Sequence, residues 1–533
     1  MKDKSKKLFD GITALSDELI EEAASPVNIK RRTWVKWTAA AASVAVLISG
    51  VLIGVFNFNG VEDNEAPAAS AAYTGHDEGS VFMSYAGPVL PLNALNADDS
   101  ITAKRELTFD FEPLRKYEVT DEYPDPKTGE TVEYSYFTND NASLVTDSYV
   151  LTNSSDKSID LDMLYPFCTS FSDLYKYSPK ITVDDNAVEP ELISGGYAGR
   201  FTGVYGNGGR DETTYNLEQP SSFLEYEELL LDGSYLDNAL KEVSLADTPV
   251  VVYEVVNYRA DREDKNSPNP SIGLTYTPGD EYTPISYGFH GYHGEDGKHT
   301  QVFSVPHEGM KNDGMSKCLM FIGGDPGDVE IGFYKTLDTS KTNKSEAAYG
   351  ELVRYESTLL NMLERFTDEF YEFKMYENSG TEECAVSEQM YLLEVIRTLT
   401  EHGVLSRDVK DRYSSGWLME IFNEVNTFKR VLYERFSVTV PAGSSVKLEV
   451  KMLKEASFDF DCAHTEAAGI SGYDTAVSLG SSLNFTSLAA NIEDRGLVEI
   501  VRDNFGFDIA KGIKHVELDT GTERYYLEVR ELE

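Results

Sequence analysis

The pattern of apolar and polar residues changes several times along the chain, and each change marks a predicted element. Residues 37–56 read WTAAAASVAVLISGVLIGVF and include no charged side chain. At about 1.5 Å of rise per residue, a helix of this length spans roughly 30 Å, the thickness of the hydrocarbon core of a bilayer. The pattern therefore predicts one N-terminal transmembrane helix.

Short runs that alternate apolar and polar residues, separated by turn residues, cover much of the remaining chain. One such run is 131–137. Three pairs of runs flank short turns, which is the signal of β-hairpins. The pairs are 148–153 with 159–167, 436–440 with 446–451, and 515–519 with 524–529. These segments predict antiparallel β-sandwich structure.

Between residues 341 and 436 the apolar positions recur at steps of three and four, which predicts three amphipathic helices. The first starts near Ser345, the second covers about 386–402 and the third about 417–435. Helices joined by short connections pack most simply as a bundle. Because β pattern lies on both sides, we predict a three-helix segment inserted into, or docked on, the sandwich of a membrane-anchored α+β protein.

The predicted organisation has six parts. They are a cytoplasmic amphipathic tail (1–36), the transmembrane helix (37–56), a linker (57–80), an extracellular β-rich domain (81–340), a helical insertion (341–436) and a C-terminal β-rich part that completes the ectodomain (437–533). A cleaved signal peptide is the alternative interpretation of the apolar run. The apolar run is longer than the apolar region of a normal signal peptide, and the segment before it is also unusually long. Both features favour an uncleaved anchor.

The formal net charge of −44 is distributed unevenly about the apolar run. Residues 1–36 carry eight Lys and Arg against six Asp and Glu, whereas residues 57–533 carry 39 against 85. By the positive-inside rule, this predicts a single-pass cell-membrane protein with a cytoplasmic N-terminus and an extracellular bulk. A surface this acidic repels phosphate backbones, which argues against nucleic acid as a partner.

The tail carries an apolar stripe at helical spacing, formed by Leu8, Ile12, Leu15 and Leu19. A stripe on so short a helix has no core of its own, so it lies on the lipid surface or binds in the groove of a cytoplasmic partner. Within the apolar run, Gly50 and Gly54 form a GxxxG motif, which would let two copies pack closely as a homodimer.

The segment LFDGITALSDELIEEAA, followed by KRRTWVKWTAAAASVAVLI, resembles the N-terminal part of an uncharacterised family of single-pass membrane proteins of Firmicutes. Some members are similar in layout to membrane-bound anti-sigma factors. The resemblance is limited to about residues 8–50. It implies that the tail passes a signal to a cytoplasmic protein, although the His and Cys residues of the zinc element found in many anti-sigma domains are absent from the tail.

Candidate metal-site chemistry is concentrated in the sequence FHGYHGEDGKH, where His290, His293 and His299 are gathered. Neutral imidazoles could bind zinc or copper, and a solvated or packing role is the alternative. No nucleophile motif or HExxH motif occurs, so we predict neither catalytic residues nor a cofactor. The four cysteines are scattered without zinc-ligand spacing, and buried free thiols are one interpretation of them.

The sequence thus predicts a non-enzymatic membrane protein with a large acidic ectodomain that takes part in envelope sensing or anti-sigma-like signalling. Two alternatives remain open. One is an extracellular glycan-binding, peptide-binding or adhesion module that uses the tyrosine-rich exterior to hold an unknown ligand. The other is an extracytoplasmic metal-dependent enzyme, which rests on the histidine segment alone.

Overall fold

A computed structural model describes most of the chain after residue 85. The described residues are 86–124, 131–197, 245–260, 268–306, 314–379, 386–401, 418–427, 429–460 and 467–532. Within them the fold is mainly β, with two sheet pairs separated by three longer helices.

The first sandwich is built on a seven-stranded sheet. Its strands are β2 (Ile101–Asp110), β5 (Ser143–Asn153), β7 (Lys180–Val183), β8 (Asn186–Ala187), β19 (Ser445–Lys454), β22 (Asn484–Glu493) and β24 (His515–Leu518). Their order across the sheet is β24-β22-β2-β5-β19-β7-β8, and β2 pairs with β22 in parallel. Alternate residues of β2 are buried, as expected for a strand with one face on a core.

A four-stranded sheet covers the buried face of the seven-stranded sheet. Its strands are β1 (Asn93–Ala94), β6 (Ile159–Thr169), β9 (Glu191–Tyr197) and β18 (Arg430–Val440), in the order β1-β6-β18-β9. A hydrogen bond from the hydroxyl of Tyr165 on β6 to the carboxylate of Asp147 on β5 crosses the interior at 3.3 Å. The two sheets therefore face each other across one core.

A third sheet closes one end of this sandwich. It contains β20 (Phe458–Asp459), β21 (Ile470–Ala476), β23 (Val498–Asp503) and β25 (Arg524–Glu531), in the order β20-β21-β25-β23. Phe109 of β2 meets Tyr473 of β21 edge to face, with ring centroids 6.3 Å apart. Aromatic packing thus joins the third sheet to the seven-stranded one.

The second sandwich lies between β9 and β18 in the chain. One sheet has the order β12-β15-β10-β17, with β10 (Pro249–Ala260), β12 (Thr283–Tyr287), β15 (Cys318–Ile322) and β17 (Ala348–Thr358). The other has the order β13-β14-β11-β16, with β11 (Ser271–Tyr276), β13 (Gly291–Glu295), β14 (Lys298–Ser304) and β16 (Glu330–Tyr334). Leu274, Phe303 and Phe321 fill the separate core between them.

Helices lie between the two sandwiches. They are the short α1 (Leu174–Tyr177) and the longer α2 (Leu359–Ser379), α3 (Glu388–Glu401) and α4 (Leu418–Thr427). Phe366 of α2 stacks on Tyr287 of β12, with ring centroids 4.0 Å apart. On the other side, Glu394 of α3 forms a buried ion pair with Arg430 of β18. The helices thereby connect both sandwiches.

The predicted membrane-anchored α+β fold class is wrong for the part of the chain that the structure describes, which is mostly β-sheet with few helices. No helix among those residues combines the length and the apolar character needed to cross a bilayer. The single-pass cell-membrane localisation is corrected on the same finding. Residues 37–56, the GxxxG motif at Gly50 and Gly54, and the linker 57–80 lie outside the described residues.

The helical segment is shorter than the sequence pattern predicts. Strand β17 covers most of the predicted first half of helix one, and β18 covers the predicted end of helix three. Leu352 and Tyr355, three residues apart, lie on opposite faces of β17 and pack against different cores. A strand covered on both faces presents apolar residues at odd and even positions, so its pattern resembles a helix.

Candidate functional site

A two-stranded hairpin stands apart from the other sheets. It consists of β3 (Tyr117–Pro124) and β4 (Thr131–Thr138), and no other strand of the described chain pairs with it. Every residue of 131–137 is exposed. Isolated two-stranded hairpins are marginal in water, because they bury neither face. The hairpin therefore offers more accessible apolar surface than a strand of either sandwich.

Local pairing and a fixed base explain how the hairpin is positioned. Its strands are rich in β-branched and aromatic residues, and their register places Thr120 opposite Ser135. The two hydroxyls are hydrogen-bonded at 2.7 Å. At the base, the side-chain amide of Asn139 donates to the carbonyl of Leu114, a buried residue, at 3.1 Å. The base is thus attached to the first sandwich while the strands extend into solvent.

One face of the hairpin is aromatic, and we call it the tyrosine face. The register places Tyr117, Val119 and Asp121 of β3 on the same side as Tyr134 and Tyr136 of β4. The three tyrosines are 46%, 56% and 37% exposed. The rings of the two β4 tyrosines are 5.7 Å apart and inclined by 26°. They form an accessible stacked pair, which we call the shelf.

A carboxylate lies beside this shelf. Asp121 is directly opposite Tyr134 in the register. Its negative charge, and a hydrogen bond with the Tyr136 hydroxyl, raise the pKa of Tyr136. The Tyr136 hydroxyl therefore stays neutral near pH 7, and the shelf has one negative group beside it.

The opposite face of the hairpin is mainly polar. Glu118, Thr120 and Ser135 lie on it with Phe137, which is 70% exposed. The two strands together contain four carboxylates and no lysine or arginine. Exposed tyrosines surrounded by negative charge suit contact with a cationic group, because aromatic faces attract cations.

The predicted histidine site is not assembled. His293 pairs with Thr300, whereas His299 pairs with Gly294, so the two imidazoles lie on opposite faces of the β13–β14 hairpin. His290 accepts a hydrogen bond from the Ser304 amide at 3.2 Å. The His299 ring meets Tyr292 edge to face at 5.0 Å, and burial lowers its pKa. No group of three metal-ligating side chains occurs within the described ranges.

The buried Arg105–Asp147 pair of the first sandwich is structural. Arg105 and Asp147 are inaccessible to solvent and are joined by two hydrogen bonds of 2.9 Å. The Arg105 guanidinium also donates to the Ala476 carbonyl at 2.7 Å, so it ties the seven-stranded sheet to the third sheet. A site this enclosed has no access for a substrate, and its groups satisfy one another.

A shallow groove crosses the outer side of the four-stranded sheet, with a volume of about 380 Å³. Its polar groups pair with one another. The Arg435 guanidinium forms two hydrogen bonds with Asp162, of 2.8 and 3.1 Å, and Thr439 donates to Asp160 at 2.6 Å. Because these donors and acceptors are already used, the groove is a weaker candidate for ligand binding than the tyrosine face.

The other predicted residues have varied outcomes. The tail residues Leu8, Ile12, Leu15 and Leu19 lie outside the described residues. Cys168 and Cys318 are buried, Cys318 as a free thiol, and the remaining two cysteines lie outside the described ranges.

Sequence reasoning found the strand at 131–137 but missed its partner strand and its exposure. One signal of exposure was available in the sequence. Tyr134, Tyr136 and Phe137 place aromatic residues at both even and odd positions of one strand, and therefore on both of its faces. A comparison with known proteins adds no assignment, because no family model, no curated protein and no solved structure matches the chain.

Proposed function

We propose that this protein is a non-enzymatic binding module whose β3–β4 hairpin binds a cationic segment of a partner protein. The observation that carries the proposal is the tyrosine face, an accessible aromatic surface on a hairpin that pairs with no other described strand. Contiguous exposed aromatic surface is typical of interaction sites, and tyrosine is enriched among the residues that dominate binding energy.

Charge determines the kind of partner. The four carboxylates and absence of basic residues in the two strands, together with the net charge of −44, disfavour an acidic partner and disfavour a second copy of the same hairpin. A basic segment gains both ionic attraction and contact with the rings.

The test measures binding of the full-length protein to two synthetic peptides, (Arg-Ser)₄ and (Glu-Ser)₄, by fluorescence anisotropy at physiological salt. An extended peptide of this design places all its charged side chains on one face. We expect saturable binding of the basic peptide and none of the acidic one. The charge-preserving double variant Tyr134→Ser/Tyr136→Ser should bind the basic peptide about tenfold more weakly, because two exposed cation–π contacts are worth about 1–2 kcal/mol together.

The matched control is Tyr175→Ser/Tyr292→Ser, which removes two tyrosines that are 68% and 42% exposed elsewhere on the surface. This variant should bind the basic peptide like the unmodified protein. Equal binding by both double variants would show that general acidity, and not the tyrosine face, attracts the peptide, and the proposal would be overturned. Self-association through the hairpin, detected by sedimentation and lost in Tyr134→Ser/Tyr136→Ser, would also overturn it.

A further inference from the structure

From the geometry of the tyrosine face we infer that it selects arginine over lysine, an inference that rests on the proposed function. The shelf formed by Tyr134 and Tyr136 is a stack of two planar rings, inclined by 26° to one another. A guanidinium is planar and weakly hydrated, so it extends such a stack by lying flat on a ring face. An ammonium is a compact, strongly hydrated charge that makes a smaller contact and keeps its water at an exposed site.

The position of the carboxylate adds to this preference. Asp121 lies directly across the strand pair from Tyr134 and diagonally from Tyr136, on the same face, so its carboxylate lies beside the shelf. A guanidinium stacked on the rings can direct two parallel N–H groups at one carboxylate. Lysine has no planar pair of donors, so its contact with the rings and its hydrogen bonds to the carboxylate both have poorer geometry than those of arginine.

The opposite face of the hairpin lacks this combination. Glu118 lies there beside Phe137 and opposite it in the register, but the neighbouring cross-strand pair is Thr120 with Ser135, whose hydroxyls bond each other. A single ring beside a carboxylate gives no extended shelf. The selective surface is therefore the tyrosine face, and Glu118 offers a control of equal charge on the same hairpin.

The experiment compares (Arg-Ser)₄ with (Lys-Ser)₄, which have the same charge and spacing, in binding to the full-length protein at physiological salt. We expect the arginine peptide to bind about fivefold more tightly. Asp121→Asn and Tyr134→Ser/Tyr136→Ser should each reduce this ratio towards one. Glu118→Gln removes the same charge from the other face. It should leave this ratio unchanged, including where it weakens the binding of both peptides.

The outcomes separate the two proposals. Equal binding of both peptides, lost in Tyr134→Ser/Tyr136→Ser, overturns arginine selection and leaves the binding function in place. A preference for arginine that survives Asp121→Asn and Tyr134→Ser/Tyr136→Ser places selection elsewhere and also overturns the inference. Urea unfolding of each variant tests folding directly. Because the substituted side chains are exposed, their unfolding midpoints should match that of the unmodified protein.

Discussion

Replacing Glu434 with glutamine should make the protein more stable at neutral pH while leaving its stability unchanged in mild acid. Glu434 lies on β18, between Tyr165 and Leu192 of the neighbouring strands, and is 6% exposed. Burial raises the pKa of its carboxyl group from 4.5 to about 7. Glutamine has nearly the shape of the protonated side chain and never becomes charged.

The size and sign of the effect follow from proton linkage. Between pH 4.5 and 7 the folded protein binds the Glu434 proton more tightly than the unfolded chain does. The stabilisation from this group is therefore complete below pH 4.5 and is lost as the pH rises to about 7. A pKa difference of this size corresponds to about 3 kcal/mol of unfolding free energy. Glu434→Gln should thus match the unmodified protein near pH 4.5 and exceed it by about 3 kcal/mol above pH 7.

The measurement is urea unfolding of both proteins across this pH range, followed by circular dichroism. Glu449→Gln on β19 is a control with the opposite sign, because a hydrogen bond from Lys451, and a second from Lys447, lower the pKa of Glu449. That control should lose stability at neutral pH and approach the unmodified protein in acid. A free-energy difference between Glu434→Gln and the unmodified protein that stays constant with pH would refute the reasoning.

Three further predictions concern the core, each measured by urea unfolding. Arg105→Met should lower the free energy of unfolding by about 3–5 kcal/mol, because it leaves a buried carboxylate without its ionic partner. Adding Asp147→Leu should recover part of this loss. If the effects of the two substitutions were additive, the pairing would be contradicted. Phe366→Ala should cost about 3–5 kcal/mol through the cavity it leaves, and a cost below about 1 kcal/mol would contradict its stacked, buried position. Gly288→Ala should cost at least about 1–3 kcal/mol, since the backbone φ is +77° and the added methyl would meet the Ser316 carbonyl; a neutral result would show that this turn is not required.

The sequence correctly indicated strands in each predicted β-hairpin, but it did not reveal their partners. In all three pairs, the two strands belong to different sheets: β5 and β6, β18 and β19, and β24 and β25. Alternation reports that one face of a strand is buried, and a short turn reports that the chain reverses. Neither reports whether the reversal pairs the strands side by side or carries the chain across the core. The order of the strands in each sheet could therefore be determined only from the structure.

The candidate site shows a second limit of sequence reasoning. The strand at 131–137 was predicted from its β pattern, and a strand is expected to have one buried face. The pattern therefore did not show that aromatic residues on both faces of this strand are exposed. Exposure of Tyr134 and Phe137 follows from the isolation of the hairpin, which depends on how distant segments pair. The buried carboxyl of Glu434 is hidden from the sequence for the same reason.

The parallel pairing of β2 with β22 constrains the order in which the protein can be assembled during synthesis. These strands lie at 101–110 and 484–493, so the seven-stranded sheet cannot be completed until the C-terminal part of the chain has been synthesised. The second sandwich contains strands from β10 to β17 and is complete much earlier. We expect it to fold first on the ribosome, while the sheets of the first sandwich stay incomplete until β18, β19 and β22 emerge. Stalled chains that end before β18 would then resist protease in the second sandwich alone.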